Sequence, residues 1–135
     1  MIYTITLNPA LDHFLDVAEL RLDDANRVQG ECLYAGGKGI DVSRAIRQLG
    51  GDSMALGFIG GRRGQFMVEL LKKEGVTCYF TPIAGETRRN IIITTQKTRT
   101  QTMLNSRGPV VTKAEWMAFL THLKLLDLNE AYVVV

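Results

Sequence analysis

Residues 34–51 read Tyr34-Ala-Gly-Gly-Lys-Gly-Ile-Asp-Val-Ser-Arg-Ala-Ile-Arg-Gln-Leu-Gly-Gly51, and inside this stretch the spacing of apolar residues changes period. Before it, from Arg27 to Tyr34, the chain looks extended. Val28, Cys32 and Tyr34 fall on alternate positions, with Gly30 weakening the middle, as in a strand with one wet face. From Lys38 to Leu49 the pattern is helical. Val42, Ala45, Ile46 and Leu49 stand at i, i+3, i+4 and i+7, and Gly50-Gly51 end the helix. An extended segment thus passes through a glycine turn directly into a helix.

The same reading extends in both directions. Ile2 to Leu7 is β-branched and aromatic and stops at Asn8-Pro9, which predicts a first strand. His13 to Val17 also reads as extended, and the acidic, turn-rich Glu19 to Asn26 joins it to Arg27–Tyr34. Beyond the helix, Ser53 to Ile59 is an apolar strand. A second helix is predicted from about Gly64 to Glu74, with Phe66, Met67, Leu70 and Leu71 inward. Val76 to Pro82 is a strand, and Thr87 to Thr95 with Arg99 to Asn105 read as a hairpin. Thr112-Lys-Ala-Glu115 is a capping box opening a third helix with a stripe of Trp116, Phe119, Leu120 and Leu123; Tyr132 to Val135 is a last strand. Strands alternating with helices predict an α/β layer with a mostly parallel sheet. Segments 13–34 and 87–105 break that alternation and predict a separate, partly exposed β-layer. An apolar parallel strand at the end of the chain predicts an N-terminal portion of something larger.

Composition sets outer bounds. With 135 residues, 46% of them hydrophobic and 22% charged, the chain is an ordinary globular domain or a large piece of one. A net charge of +2 gives no electrostatic reason to expect a nucleic acid or a membrane as partner, and no apolar run approaches the ~18 residues of a membrane span. Without a signal-peptide pattern at Met1, the expected location is cytoplasmic. Cys32 and Cys78 read as small core residues, and neither His13 nor His122 has a partner at metal-ligand spacing, so no metal site is expected.

The chemistry concentrates at the turn. Backbone N–H groups at a helix N-terminus attract anions, and Lys38 adds a full charge beside Gly36, Gly37 and Gly39. Two phosphate motifs fail there. A Walker loop needs Ser or Thr where Gly39 stands, and a dinucleotide fingerprint begun at Gly37 would place its last glycine on Val42. A plain glycine turn with a solvated lysine is the competing reading. Asp12, just after the first strand, suits hydroxyl recognition at the carboxyl end of a sheet, or equally an Asx turn after Pro9. Five basic residues in 86–107 (Arg88, Arg89, Lys97, Arg99 and Arg107) face Glu86 alone; arginines there suit a phosphate, or are solvated surface charges. Together these features fit an α/β protein binding a small, phosphorylated, hydroxylated ligand.

Four separated segments carry a closer likeness. Thr6-Leu-Asn-Pro-Ala-Leu-Asp12, Ala35-Gly-Gly-Lys-Gly-Ile-Asp-Val-Ser-Arg44, Leu56-Gly-Phe-Ile-Gly-Gly-Arg-Arg-Gly64 and Thr87-Arg-Arg-Asn90 resemble, in order and spacing, the opening of the PfkB (ribokinase-like) carbohydrate kinases. The branch most similar is that of 1-phosphofructokinase and tagatose-6-phosphate kinase. The resemblance implies a ribokinase-like three-layer sandwich with a small β lid made of segments 13–34 and 87–105, residues 1–135 being its N-terminal part, truncated on the C-terminal side. It implies transfer of a phosphoryl group from ATP, with Mg²⁺, to a phosphorylated ketohexose of the fructose 1-phosphate or tagatose 6-phosphate type. By analogy Asp12 holds sugar hydroxyls, while Gly36, Gly37 and Lys38 pack against the sugar and its phosphate. Arg88 and Asn90 reach in from the lid, which pairs with a second copy to give a homodimer. Asp41 stands where the family usually has Asn, which adds negative charge beside a phosphorylated ligand. The family's catalytic aspartate, in Gly-Ala-Gly-Asp, is expected beyond residue 135, so no catalytic residue is assigned here and the isolated chain is expected not to turn over. The competing class is a non-catalytic sugar-phosphate-binding or dimerisation module.

Overall fold

The computed structural model describes all 135 residues. In chain order these form β1 (Ile2–Thr6), β2 (Ala10–Val17), β3 (Val28–Gly36), α1 (Lys38–Gln48), β4 (Ser53–Ile59) and α2 (Gly61–Lys73). They continue with β5 (Thr77–Pro82), β6 (Arg88–Thr95), β7 (Thr100–Leu104), α3 (Lys113–Lys124) and β8 (Tyr132–Val134). The main sheet has the order β5-β4-β1-β8 and is parallel throughout. The second sheet, β3-β2-β6-β7, is antiparallel at both flanks and parallel between β2 and β6. No helix is long and apolar enough to cross a membrane.

Strand alternation divides the main sheet's core in two. On one face Ala55 of β4 packs with Ile40 of α1, Met67 and Leu71 of α2, and Leu11 and Ala35 from the second sheet. On the other, Tyr3, Leu56 and Phe58 pack with Ile83 and Phe119 of α3. Period 2 sends neighbouring residues of β4 to opposite faces, so one strand supplies both cores. Helices therefore lie on both sides of the sheet, giving three layers.

Four local expectations need correction. The buried face of α1 is Gly39, Ile40 and Ser43, whereas Ala45 and Leu49 are exposed. A buried polar bridge replaces part of the expected apolar stripe: Ser43 Oγ lies 2.7 Å from Thr4 Oγ1 and accepts from Ser53 Oγ at 2.9 Å. On α3 the capping box forms as read, but of its stripe only Phe119 is buried; Trp116 and Leu120 stay exposed. Cys32 is exposed on β3 rather than in a core. Cys78 is half-buried, and burial pushes its thiol up to about 11. Helix α2 starts at Gly61, not Gly64, because its N-terminus is capped from far along the chain, where no local signal reveals it: Arg63 N donates to Glu86 Oε1 at 2.8 Å.

The two sheets exchange the chain four times: from β1 to β2, from β3 to α1, from β5 to β6 and from β7 to α3. Each crossing contains glycine or proline, namely Pro9, Gly37, Gly85 and Gly108-Pro109.

Candidate functional site

Strand β2 begins at Ala10, so Asp12 lies within a strand and not in a turn after Pro9. Pairing on both sides makes this possible, since Asp12 stands opposite Tyr34 of β3 and Asn90 of β6. Asn90 is buried, and its side-chain amide is used at both ends. Nδ2 donates to Asp12 Oδ1 at 2.8 Å, and Oδ1 accepts from Ser106 N at 3.2 Å. Gly36 closes β3 beneath this pair. A Cβ there would stand 2.1 Å from Asp12 Oδ2, so only glycine lets the carboxylate rest on the backbone.

One residue on, the chain turns. Gly37 has φ 142°, a conformation open to glycine, and serves as N-cap of α1 without any side-chain cap. Ile40 N donates to Thr6 Oγ1 at 3.1 Å, which fixes the helix start to the end of β1. The remaining amides of the first turn have no intrahelical acceptor and suit an anion. A cleft of about 430 Å³ opens above them, lined by Gly37, Lys38 and Asp41 of the turn, Asn8 after β1 and Arg88 at the start of β6. The Asp12–Asn90 pair flanks this cleft over Gly36 without lining it.

Arg88 carries the most telling feature. Its Nη1 donates to Ser106 O at 3.0 Å. Its Nε is the only buried side-chain nitrogen or oxygen in the molecule with no hydrogen-bond partner. A buried guanidinium N–H left unpaired costs free energy, and Arg88 also lines the cleft, where the outer part of a guanidinium can donate to an anionic oxygen.

Asp41 faces the opposite demand. Arg44 holds it at 2.8 Å, and the same guanidinium bonds Glu74 Oε2 at 2.5 Å and Ala35 O at 2.6 Å. Partial desolvation nevertheless outweighs Arg44, and with the nearby negative charges of Asp12 and Glu74 it raises the Asp41 carboxyl above the usual carboxylate range. A raised folded-state value means that Asp41 favours the fold at acid pH and ceases to do so as pH rises through it. Asp41→Asn is therefore expected to raise the melting temperature at neutral pH relative to wild type, with the gap shrinking as pH falls toward 4. Melting curves across that range check it, and a gap that widens on acidification would contradict the assignment.

The sequence reading missed three contributors. Thr6 braces the turn, Asn8 lines the cleft while its Nδ2 donates to Arg107 O at 2.8 Å, and Ser106 ties Asn90, Arg88 and Arg89 together. All three act through bonds to distant backbone, for which a linear pattern has no signal. No group of three or more His, Cys, Asp or Glu side chains stands close enough to hold a metal ion. These residues do not by themselves make a Mg²⁺ site.

Comparison with known proteins places the chain in a family. The model of the pfkB family carbohydrate kinases matches residues 5–134. The chain is 36% identical, over all its 135 residues, to 1-phosphofructokinase of Bacillus subtilis (strain 168), of which it covers 43%. Phosphofructokinase-2 from Escherichia coli, solved in complex with fructose-6-phosphate, aligns with a TM-score of 0.92 at 27% identity over 98% of this chain and 43% of that one. A possible 1-phosphofructokinase from Thermotoga maritima aligns with a TM-score of 0.88 at 37% identity, over 98% and 44% of the two chains. The chain thus spans less than half the length of each of these relatives. With the family model matched along nearly its whole length and the ribokinase-like α/β fold beneath it, the chain belongs to the pfkB family of carbohydrate kinases.

Proposed function

We propose that the complete protein transfers a phosphoryl group from ATP, with Mg²⁺, to a hydroxyl of a phosphorylated ketohexose of the fructose 1-phosphate or tagatose 6-phosphate type. Residues 1–135 supply most of the sugar site and its lid. The observation that carries this reading is that Arg88, whose guanidinium is not fully paired within the protein, lines the same cleft as Lys38 and the first turn of α1. Those three hold the phosphate the sugar already bears. Asp12, kept in place by Asn90, accepts hydrogen bonds from sugar hydroxyls. The second sheet acts as the lid, and covering the sugar excludes water that would otherwise compete for the phosphoryl group.

The lid also supports a homodimer. Val28 and Tyr34 of β3 and Met103 and Leu104 of β7 leave apolar side chains exposed on its outer strands, where a second copy would cover them.

Calorimetric titration tests the reading. Fructose 1-phosphate or tagatose 6-phosphate is expected to bind the 135-residue chain, and unphosphorylated fructose at least ~10-fold more weakly. Phosphorylation is expected only after fusion to the C-terminal portion of a relative such as Bacillus subtilis 1-phosphofructokinase. Failure to bind either sugar phosphate would overturn the reading, as would turnover by the 135-residue chain alone.

A further inference from the structure

Gly60-Gly61-Arg-Arg-Gly64 looks like a second anion-binding turn, glycine-rich and opening a helix. Its anion is internal. The Glu86 carboxylate sits over the α2 N-terminus, accepting from Arg63 N at 2.8 Å through Oε1, with Arg63 Nε 3.4 Å away. Next to it Thr87 is buried and bonded twice to one residue. Gly60 N donates to Thr87 Oγ1 at 2.9 Å, and Thr87 N donates to Gly60 O at 2.9 Å. The glycines are shaped to receive this segment: a Cβ on Gly60 would stand 1.9 Å from Gly85 O, and one on Gly61 2.1 Å from Glu86 Oε2.

We infer that Glu86 and Thr87 are positioning residues for the sugar-phosphate cleft, a carboxylate–hydroxyl clamp that seats the root of β6 on the start of α2. The inference rests on the kinase reading above and adds to it the determinant of how Arg88 is aimed. Arg88 is the residue after the clamp, and Asn90 lies two further along the same strand, paired in register with Asp12. With Thr87 fixed at both its N–H and its hydroxyl, β6 has no freedom to slide or rotate at its first residue. The Arg88 side chain is then set against the cleft, and the Asn90 amide against Asp12, before any ligand arrives. The charge on Glu86 fits this role, because a carboxylate at a helix N-terminus is held by the amides and partial positive charge there. Arg88 lines the cleft and Asn90 holds Asp12 at its flank, whereas Glu86 and Thr87 act only through them.

The test uses the 135-residue chain in four variants: Thr87→Val, Thr87→Ser, Glu86→Ala and Glu86→Gln. Side-chain NMR signals of Arg88 Nε–H and Asn90 Nδ2–H₂ are recorded without ligand, and fructose 1-phosphate affinity is then measured by calorimetry. Thr87→Val is expected to shift both side-chain signals and to weaken binding roughly 10-fold, the scale of a small misplacement of binding groups. Thr87→Ser, which keeps the hydroxyl, is expected to restore both signals and affinity to near wild type. Glu86→Ala is expected to behave as Thr87→Val, and Glu86→Gln, which keeps an acceptor for Arg63 N, to fall between. Unchanged Arg88 and Asn90 signals in Thr87→Val, or failure of Thr87→Ser to rescue, would overturn the clamp. A wild-type chain that binds no sugar phosphate would overturn the kinase reading instead, leaving the clamp to be decided on the ligand-free signals alone.

Discussion

Arg88→Ala is expected to weaken fructose 1-phosphate binding by roughly 100-fold or more, because each charge-assisted hydrogen bond to a phosphate contributes about 1.5–3 kcal/mol and a guanidinium can make two. The residue is already anchored through Nη1 to Ser106 O, so its orientation is largely set before binding and little side-chain entropy is lost on contact. Arg88→Lys keeps a charge but not the planar fork, and is expected to recover only part of the affinity. The fold should not suffer. Removing the unpaired Nε relieves a buried donor and offsets the loss of the Nη1–Ser106 O bond, so the melting temperature of Arg88→Ala is expected to stay close to that of wild type. Titration of both variants checks this, and an Arg88→Ala chain binding within about threefold of wild type would exclude Arg88 as the phosphate ligand.

The largest effect on stability is expected from Gly57→Ala. Gly57 lies in the middle of β4 with φ 144°, paired with Thr6 of β1, and a Cβ there would stand 1.9 Å from Thr6 O. Backbone cannot yield as a flexible side chain does, so the two strands must separate. The cost is expected to be at least ~3 kcal/mol, lowering the melting temperature by roughly 10 °C. Gly50 provides the comparison. It too has a positive φ, 82°, but nothing lies within 4 Å of its Cβ position, so Gly50→Ala is expected to cost only about 1 kcal/mol from the backbone conformation. Equal costs at the two sites would show that strand spacing at Thr6 is not the limiting factor. Since Thr6 Oγ1 also holds Ile40 N, any residual folded Gly57→Ala protein should bind sugar phosphate poorly as well.

What the sequence disclosed follows the range of the interactions involved. The change of period at Tyr34–Lys38 and the capping box at Thr112 involve neighbours three or four residues apart, and both are found in the structure. Helix α2 starts three residues before the position its own sequence predicts, because Glu86, 25 positions away from Gly61, caps it. The buried face of α1 departs from its apolar stripe for a related reason: Ser43 is polar and becomes interior only through Thr4 and Ser53. Asp12 and Arg88 were legible as candidates by residue type. Their relation was not, since it depends on parallel pairing between β2 and β6, strands separated by 70 residues of chain. Ser106, joining Asn90 to Arg88, carried no signal of its own.

The four glycine- or proline-bearing crossings between the sheets have a mechanical consequence. A flap hung on one tether can swing alone, but a plate pinned at four places can only shear or tilt as a unit. Three of those pins, at Asn8-Pro9, Gly37 and the Gly85–Arg88 segment, adjoin residues that line the cleft. Any displacement of the plate therefore moves the residues lining the cleft directly, so that cleft shape and plate position form a single coordinate rather than two events in sequence.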